Sequence, residues 1–96
     1  MAVEVRCVEI DLRGVRDAKT LHDRLARALD FPAFYGRNWA AFWDAITGLV
    51  ELPPQLVFPG YNELAEHLPQ EAHNLRQALE DRNQQFPGWA CQLEWR

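Results

Sequence analysis

Three short runs of strand character are separated in this chain by stretches of helical period, and never by a turn-length connection. Val3 to Leu12 is rich in β-branched residues and opens with the alternation Val3, Val5, Cys7 before changing phase to Val8, Ile10, Leu12. Leu56-Val57-Phe58, bounded by Pro53-Pro54 and Pro59-Gly60, is a short apolar run of the kind a buried strand shows. Trp89, Cys91, Leu93 and Trp95 alternate with Ala90, Gln92 and Glu94 in period two, which predicts the third strand. Strands joined by crossovers rather than hairpins imply a parallel sheet with helices packed on it. The expected fold is α/β, a three-stranded parallel sheet packed with helices in the order βααβααβ. The two-faced pattern of the first run predicts that it lies in the centre of the sheet.

The intervening stretches supply the helices. Leu21, Leu25, Ala28 and Leu29 recur at i, i+4, i+7 and i+8, so residues 18–29 form an amphipathic helix that Asp17 or Thr20 can cap and that Pro32 prevents from continuing. Trp39, Phe42, Trp43, Ile46, Leu49 and Val50 make a second helical stripe, beginning near the N-cap residue Asn38. Residues 62–67 allow a helical turn or two. Pro69 suits the first turn of a longer helix carrying Ala72, Leu75, Ala78 and Leu79, which Pro87-Gly88 stops. No repeat, low-complexity tract or linker divides the 96 residues, and the expectation is a single domain over 1–96.

Charge narrows the partners. Residues 1–48 hold seven acids and seven bases, whereas residues 49–96 hold seven acids and three bases, which accounts for the whole net charge of −4. With one lysine and scattered arginines, the chain lacks the basic face that displaces phosphate counterions, so direct nucleic-acid binding is not expected and a basic partner fits better. No apolar run approaches the length of a membrane span and no secretory signal is seen, so a cytoplasmic location is expected. Cys7 and Cys91 read as small buried hydrophobes, and the histidine spacing does not suit a metal site. No cofactor is expected.

Chemistry is sparse. The chain has no serine, two threonines and no glycine-rich loop. A dyad of Cys7 or Cys91 with His22 would place strand cysteines in apolar settings that suppress reactivity, and His22 beside Leu21 reads as a packing residue. An enzyme is not expected, and no residue is assigned as catalytic. A binding module is the competing class. Asp44 falls on a small, polar helix face with Arg37, Ala40, Ala41, Thr47 and Gly48, next to a loop holding Phe34 and Tyr35. Rings supply desolvated contact area and a carboxylate recognises a cationic site, though such a face also suits simple solvation.

The segment Phe34-Tyr35-Gly36-Arg37-Asn38, followed by Trp43-Asp44-Ala45-Ile46-Thr47-Gly48, resembles the barstar family of ribonuclease inhibitors, whose pattern is aromatic-Tyr-Gly-x-Asn and then Trp-Asp-Ala-x-Thr-Gly. The likeness extends to Glu51 and Pro53 and back to Leu21-His22; beyond Phe58 it rests on element order. The resemblance implies an inhibitor of a small basic ribonuclease or nuclease toxin, monomeric when free, that inserts its second helix and the preceding loop into the active site. Asp44 would occupy a phosphate position, Phe34 would pack over the site, Gly36 would let the backbone approach, and Trp43 would flank the acid. Tyr35, Arg37, Ala40 and Thr47 complete the expected contact set, and Glu80 matches a second contact acid on the last helix. Two positions depart from the family: Ala40 stands where it has an acid, and Arg37 where it has a glutamate. Losing a buried charge partner costs about 2 to 5 kcal/mol at an interface, which points away from barnase itself as the tightest target. A domain of the same fold with a non-nuclease partner is the alternative.

Overall fold

A computed structural model of the chain describes residues 6–96. Strands β1 (Cys7–Glu9), β2 (Gln55–Phe58) and β3 (Gln92–Trp95) form one parallel sheet, in register through Val8, Leu56 and Leu93. Four helices, α1 (Ala18–Leu29), α2 (Trp39–Asp44), α3 (Tyr61–His67) and α4 (Pro69–Gln85), lie between the strands in the expected order. Val3 and Val5, which opened the first alternation, lie outside the described residues.

The sheet order is β1-β2-β3, so β2 holds the centre rather than β1. The continuous run Leu56-Val57-Phe58 is buried on both faces, as a central parallel strand requires, whereas Cys7 and Glu9 on β1 are exposed. The phase change in the first run has another cause. Beyond Glu9 the chain leaves regular strand geometry, yet the amides of Ile10 and Leu12 still donate to the carbonyls of Val57 (2.8 Å) and Pro59 (2.7 Å). Ile10, Leu12 and Val15 thereby enter the core from an irregular segment. Gly60 closes the next turn at φ 84°, where a Cβ atom would stand 2.6 Å from the backbone nitrogen of Arg13, so only glycine fits.

The thiols part company. Cys91 is buried, and burial pushes its pKa up to about 11, but Cys7 is exposed because it sits on an edge strand; both are free. Trp89 also falls outside its expected strand. Pro87–Trp89 forms a 3-10 turn, with the Trp89 amide donating to the Phe86 carbonyl (2.9 Å), and leaves Trp89 72% exposed. Among the described residues no helix is long and apolar enough to cross a membrane.

Candidate functional site

The loop from Phe31 to Asn38 is built on α1. That helix starts at Asp17, whose carboxylate accepts from the Thr20 amide (2.7 Å), and stops at Asp30 in the left-handed conformation (φ 57°). The chain then turns so that Phe31 is buried and the next rings diverge. Tyr35 turns inward: its hydroxyl lies 2.6 Å from Nδ1 of buried His22, and its ring packs at 4.9 Å from Phe31. Burial pushes the Tyr35 hydroxyl's pKa up, so it stays protonated, and the His22 tautomer sets which of the two groups donates. Burial also lowers the pKa of His22, against the pull of the Glu71 and Asp23 carboxylates, which favours the neutral ring. The His22 ring is 4.5 Å from Trp39, whose indole nitrogen donates to Glu71 on α4 (2.9 Å). His22 is therefore a satisfied packing residue that fixes the loop to α1 and α2.

Phe34, by contrast, is 76% exposed. Gly36 is exposed, and a Cβ there would stand 3.2 Å from the Asn38 amide nitrogen, which donates to the Gly36 carbonyl (3.1 Å). Glycine thus leaves room for Asn38 to cap α2, its side-chain oxygen accepting from the Ala41 amide (2.7 Å). Arg37 has φ 51°, in the left-handed region, and its Nε donates to Asp23 on α1 (2.6 Å). Hydrogen bonds from Arg37 and then Lys19 hold the Asp23 carboxyl below its usual range.

Helix α2 turns Phe42 into the core and leaves Ala40 and Asp44 exposed. Asp44 takes part in no ion pair among the described residues. The helix then widens into a π-helical turn over Ala45–Leu49, closed by the Val50 amide on the Ala45 carbonyl (3.1 Å). Such turns shift the phase of everything that follows. Ala45 and Ile46 are buried, and Leu49, expected in the apolar stripe, is 51% exposed. Thr47 bonds back to the Trp43 carbonyl (2.6 Å), satisfying an acceptor in this altered turn. Trp43 is half-buried beside Asp44.

Within α2, helical spacing puts Ala40 and Asp44 on one flank, entered from the loop that carries Phe34 and Arg37, and half-buried Thr47 and exposed Gly48 follow in the π-helical turn. Glu80 stands apart from them. It pairs with Arg76 (2.9 Å), whose guanidinium lies over the rings of Tyr61 and Trp95, on a different flank of α4 from the one that meets α2 through Glu71. Four further residues that shape the site were not read as site residues from the sequence: Asp23, Glu71, Arg82 and Trp89, the last of which had the spacing of a strand residue. Arg82 is 7% exposed, and it donates to the carbonyls of Ile46 (2.8 Å) and Trp89 (3.1 Å). Its position after Leu75 and Leu79 continues the buried stripe of α4, and that spacing was the signal available. Among the described residues no group of three His, Cys, Asp or Glu side chains could hold a metal ion.

The model of the family described as Barstar (barnase inhibitor) matches residues 5–93. The chain belongs to the barstar family. Barstar proteins are inhibitors rather than enzymes. A relative from Bacillus subtilis (strain 168), named "Putative ribonuclease inhibitor YrdF", is 46% identical over 57 residues, which span 59% of this chain and 63% of that protein. The motif residues Phe34 to Asn38 and Trp43 to Gly48 occupy the loop, the end of α2 and the π-helical turn, which α1 meets through His22 and α4 through Glu71 and Arg82.

Proposed function

We propose that this barstar-family chain is a cytoplasmic inhibitor, of the antitoxin or immunity type, for a small basic ribonuclease. The loop from Phe34 to Arg37 and the exposed flank of α2 would occlude the enzyme's active site, and the Asp44 carboxylate would take the position of a substrate phosphate. The observation that carries this reading is the state of Asp44: an exposed acid, unpaired among the described residues, on a flank of small residues. A ribonuclease site holds phosphate with cationic and histidine side chains, and charge-assisted hydrogen bonds to a carboxylate meet the same need.

Small ribonucleases are captured from extract of the source cells on the immobilised protein, and inhibition of any that is retained, and of barnase, tests the proposal with Asp44→Ala as the variant. Truncating a central, desolvated acid should weaken inhibition by at least 30-fold, about 2 kcal/mol. The melting temperature should stay within about 2 °C, because an exposed side chain without partners supports little stability. Wild-type protein that inhibits neither enzyme would remove the reading. A large loss of stability in the variant would make Asp44 a structural residue instead.

A further inference from the structure

A groove enclosing about 620 Å³ runs beside the inhibitory flank, lined by residues 47–54 and by Trp89 and Ala90. We infer that this groove is a second seat for the ribonuclease partner, receiving from it an apolar side chain flanked by a lysine or arginine. The inference rests on the ribonuclease-inhibitor reading and extends that surface beyond the motif loop and α2.

Continuity is the first argument. Thr47 and Gly48 follow Asp44 by three and four residues, in the π-helical turn that continues α2, and they also line the groove. A protein seated on Asp44 therefore passes over the groove mouth. The second argument is preorganisation. Leu49 and Trp89, 51% and 72% exposed, come from the two separate segments that line it, which are its walls. Trp89 is nonetheless held in place: its ring stacks on Phe86 at 6.1 Å and 13°, and Arg82 grips its carbonyl while gripping that of Ile46. One buried guanidinium thus fixes the spacing of both walls. An exposed ring that is already immobilised loses little freedom on binding, which favours it as an anchor.

Charge selects the occupant. Glu51 lines the groove and Asp44 lies beyond its rim; both are exposed, and neither is ion-paired among the described residues. A second copy of the chain would bring acids against acids, whereas a basic enzyme supplies the missing cations.

Dissociation constants for barnase, and for the ribonuclease retained on immobilised wild-type protein, are compared among wild type, Asp44→Ala, Trp89→Ala, Leu49→Lys and Glu51→Lys. Trp89→Ala and Leu49→Lys, one in each lining segment, should each weaken binding roughly tenfold with an unchanged melting temperature. Glu51→Lys should weaken it roughly threefold and reduce its dependence on salt. Binding lost in Asp44→Ala but within about twofold of wild type in both wall variants, a factor worth well under 1 kcal/mol, overturns the groove and leaves the inhibitor reading standing. No binding by wild type overturns both. Self-association that Trp89→Ala abolishes would assign the groove to a second copy and overturn the inference.

Discussion

Arg37 brings a positive charge into the loop that would meet a cationic enzyme, and Asp23 on α1 already answers it at 2.6 Å. Both side chains are substantially solvated, so the pair adds little to stability. Its effect falls on encounter. With Arg37 neutralised locally, the loop is less repulsive to a basic partner than its sequence suggests, yet it attracts less than an acid would. Arg37→Glu should therefore speed association with barnase severalfold at low ionic strength, and the gain should fade as salt rises; stopped-flow mixing across a salt series measures it. An unchanged rate would mean that residue 37 lies outside the encounter surface. At this scale the sequence was clear about residue type and silent about pairing. Nothing in the letters ties Arg37 to Asp23, since the two are brought together only by the turn after α1.

Among the elements, α2 and its π-helical turn gather the proposed contact residues, and α4 braces them. Arg82 is the brace, and removing it takes a donor from the buried carbonyl of Ile46 and from the part-buried one of Trp89. Arg82→Met should lower the unfolding free energy by about 2 to 4 kcal/mol, measured by chemical denaturation. Arg82→Lys should recover only part of that, because a point charge cannot span both acceptors as a planar fork does. Hydrogen exchange in Arg82→Met should accelerate first at the amides of Val50 and Trp89, which close the two turns that the guanidinium joins. The elements were legible from apolar spacing, with the caps Asp17 and Asn38 and the stop after Leu29 marked by residue type. The misread positions have physical reasons. Leu49 obeyed an α-helical period that the π turn interrupts, and the two-faced run after Cys7 reflected an irregular core segment rather than a central strand. Trp89 fitted an alternation, but the 3-10 turn that starts at Pro87 takes it up before β3 begins.

In the whole molecule, acid resistance depends on groups buried or paired in the native state. Burial lowers the pKa of His22, so the unfolded chain binds its proton first as the pH drops. Stability should be fully present above about pH 6.5 and decline below it towards the folded-state value, with a positive slope of unfolding free energy against pH. The groups that face His22 are Tyr35, Trp39, Glu71 and Asp23, and the pull of the two carboxylates opposes the effect of burial. Denaturation curves between pH 7 and 5 should show the slope in wild type and its loss in His22→Gln; a retained slope would trace it to other groups. Asp23, Asp17 and Glu63, whose carboxyl pKa values are lowered, begin to contribute only at more acidic pH. The brace at Arg82 matters at this scale as well. Its two acceptors are main-chain oxygens, which every amino acid carries, so the distance between the two walls does not depend on which side chains stand there. Residues 49 and 89 can then be exchanged freely while the frame that presents them keeps its shape, and the same scaffold could be retargeted from one enzyme to another by surface letters alone.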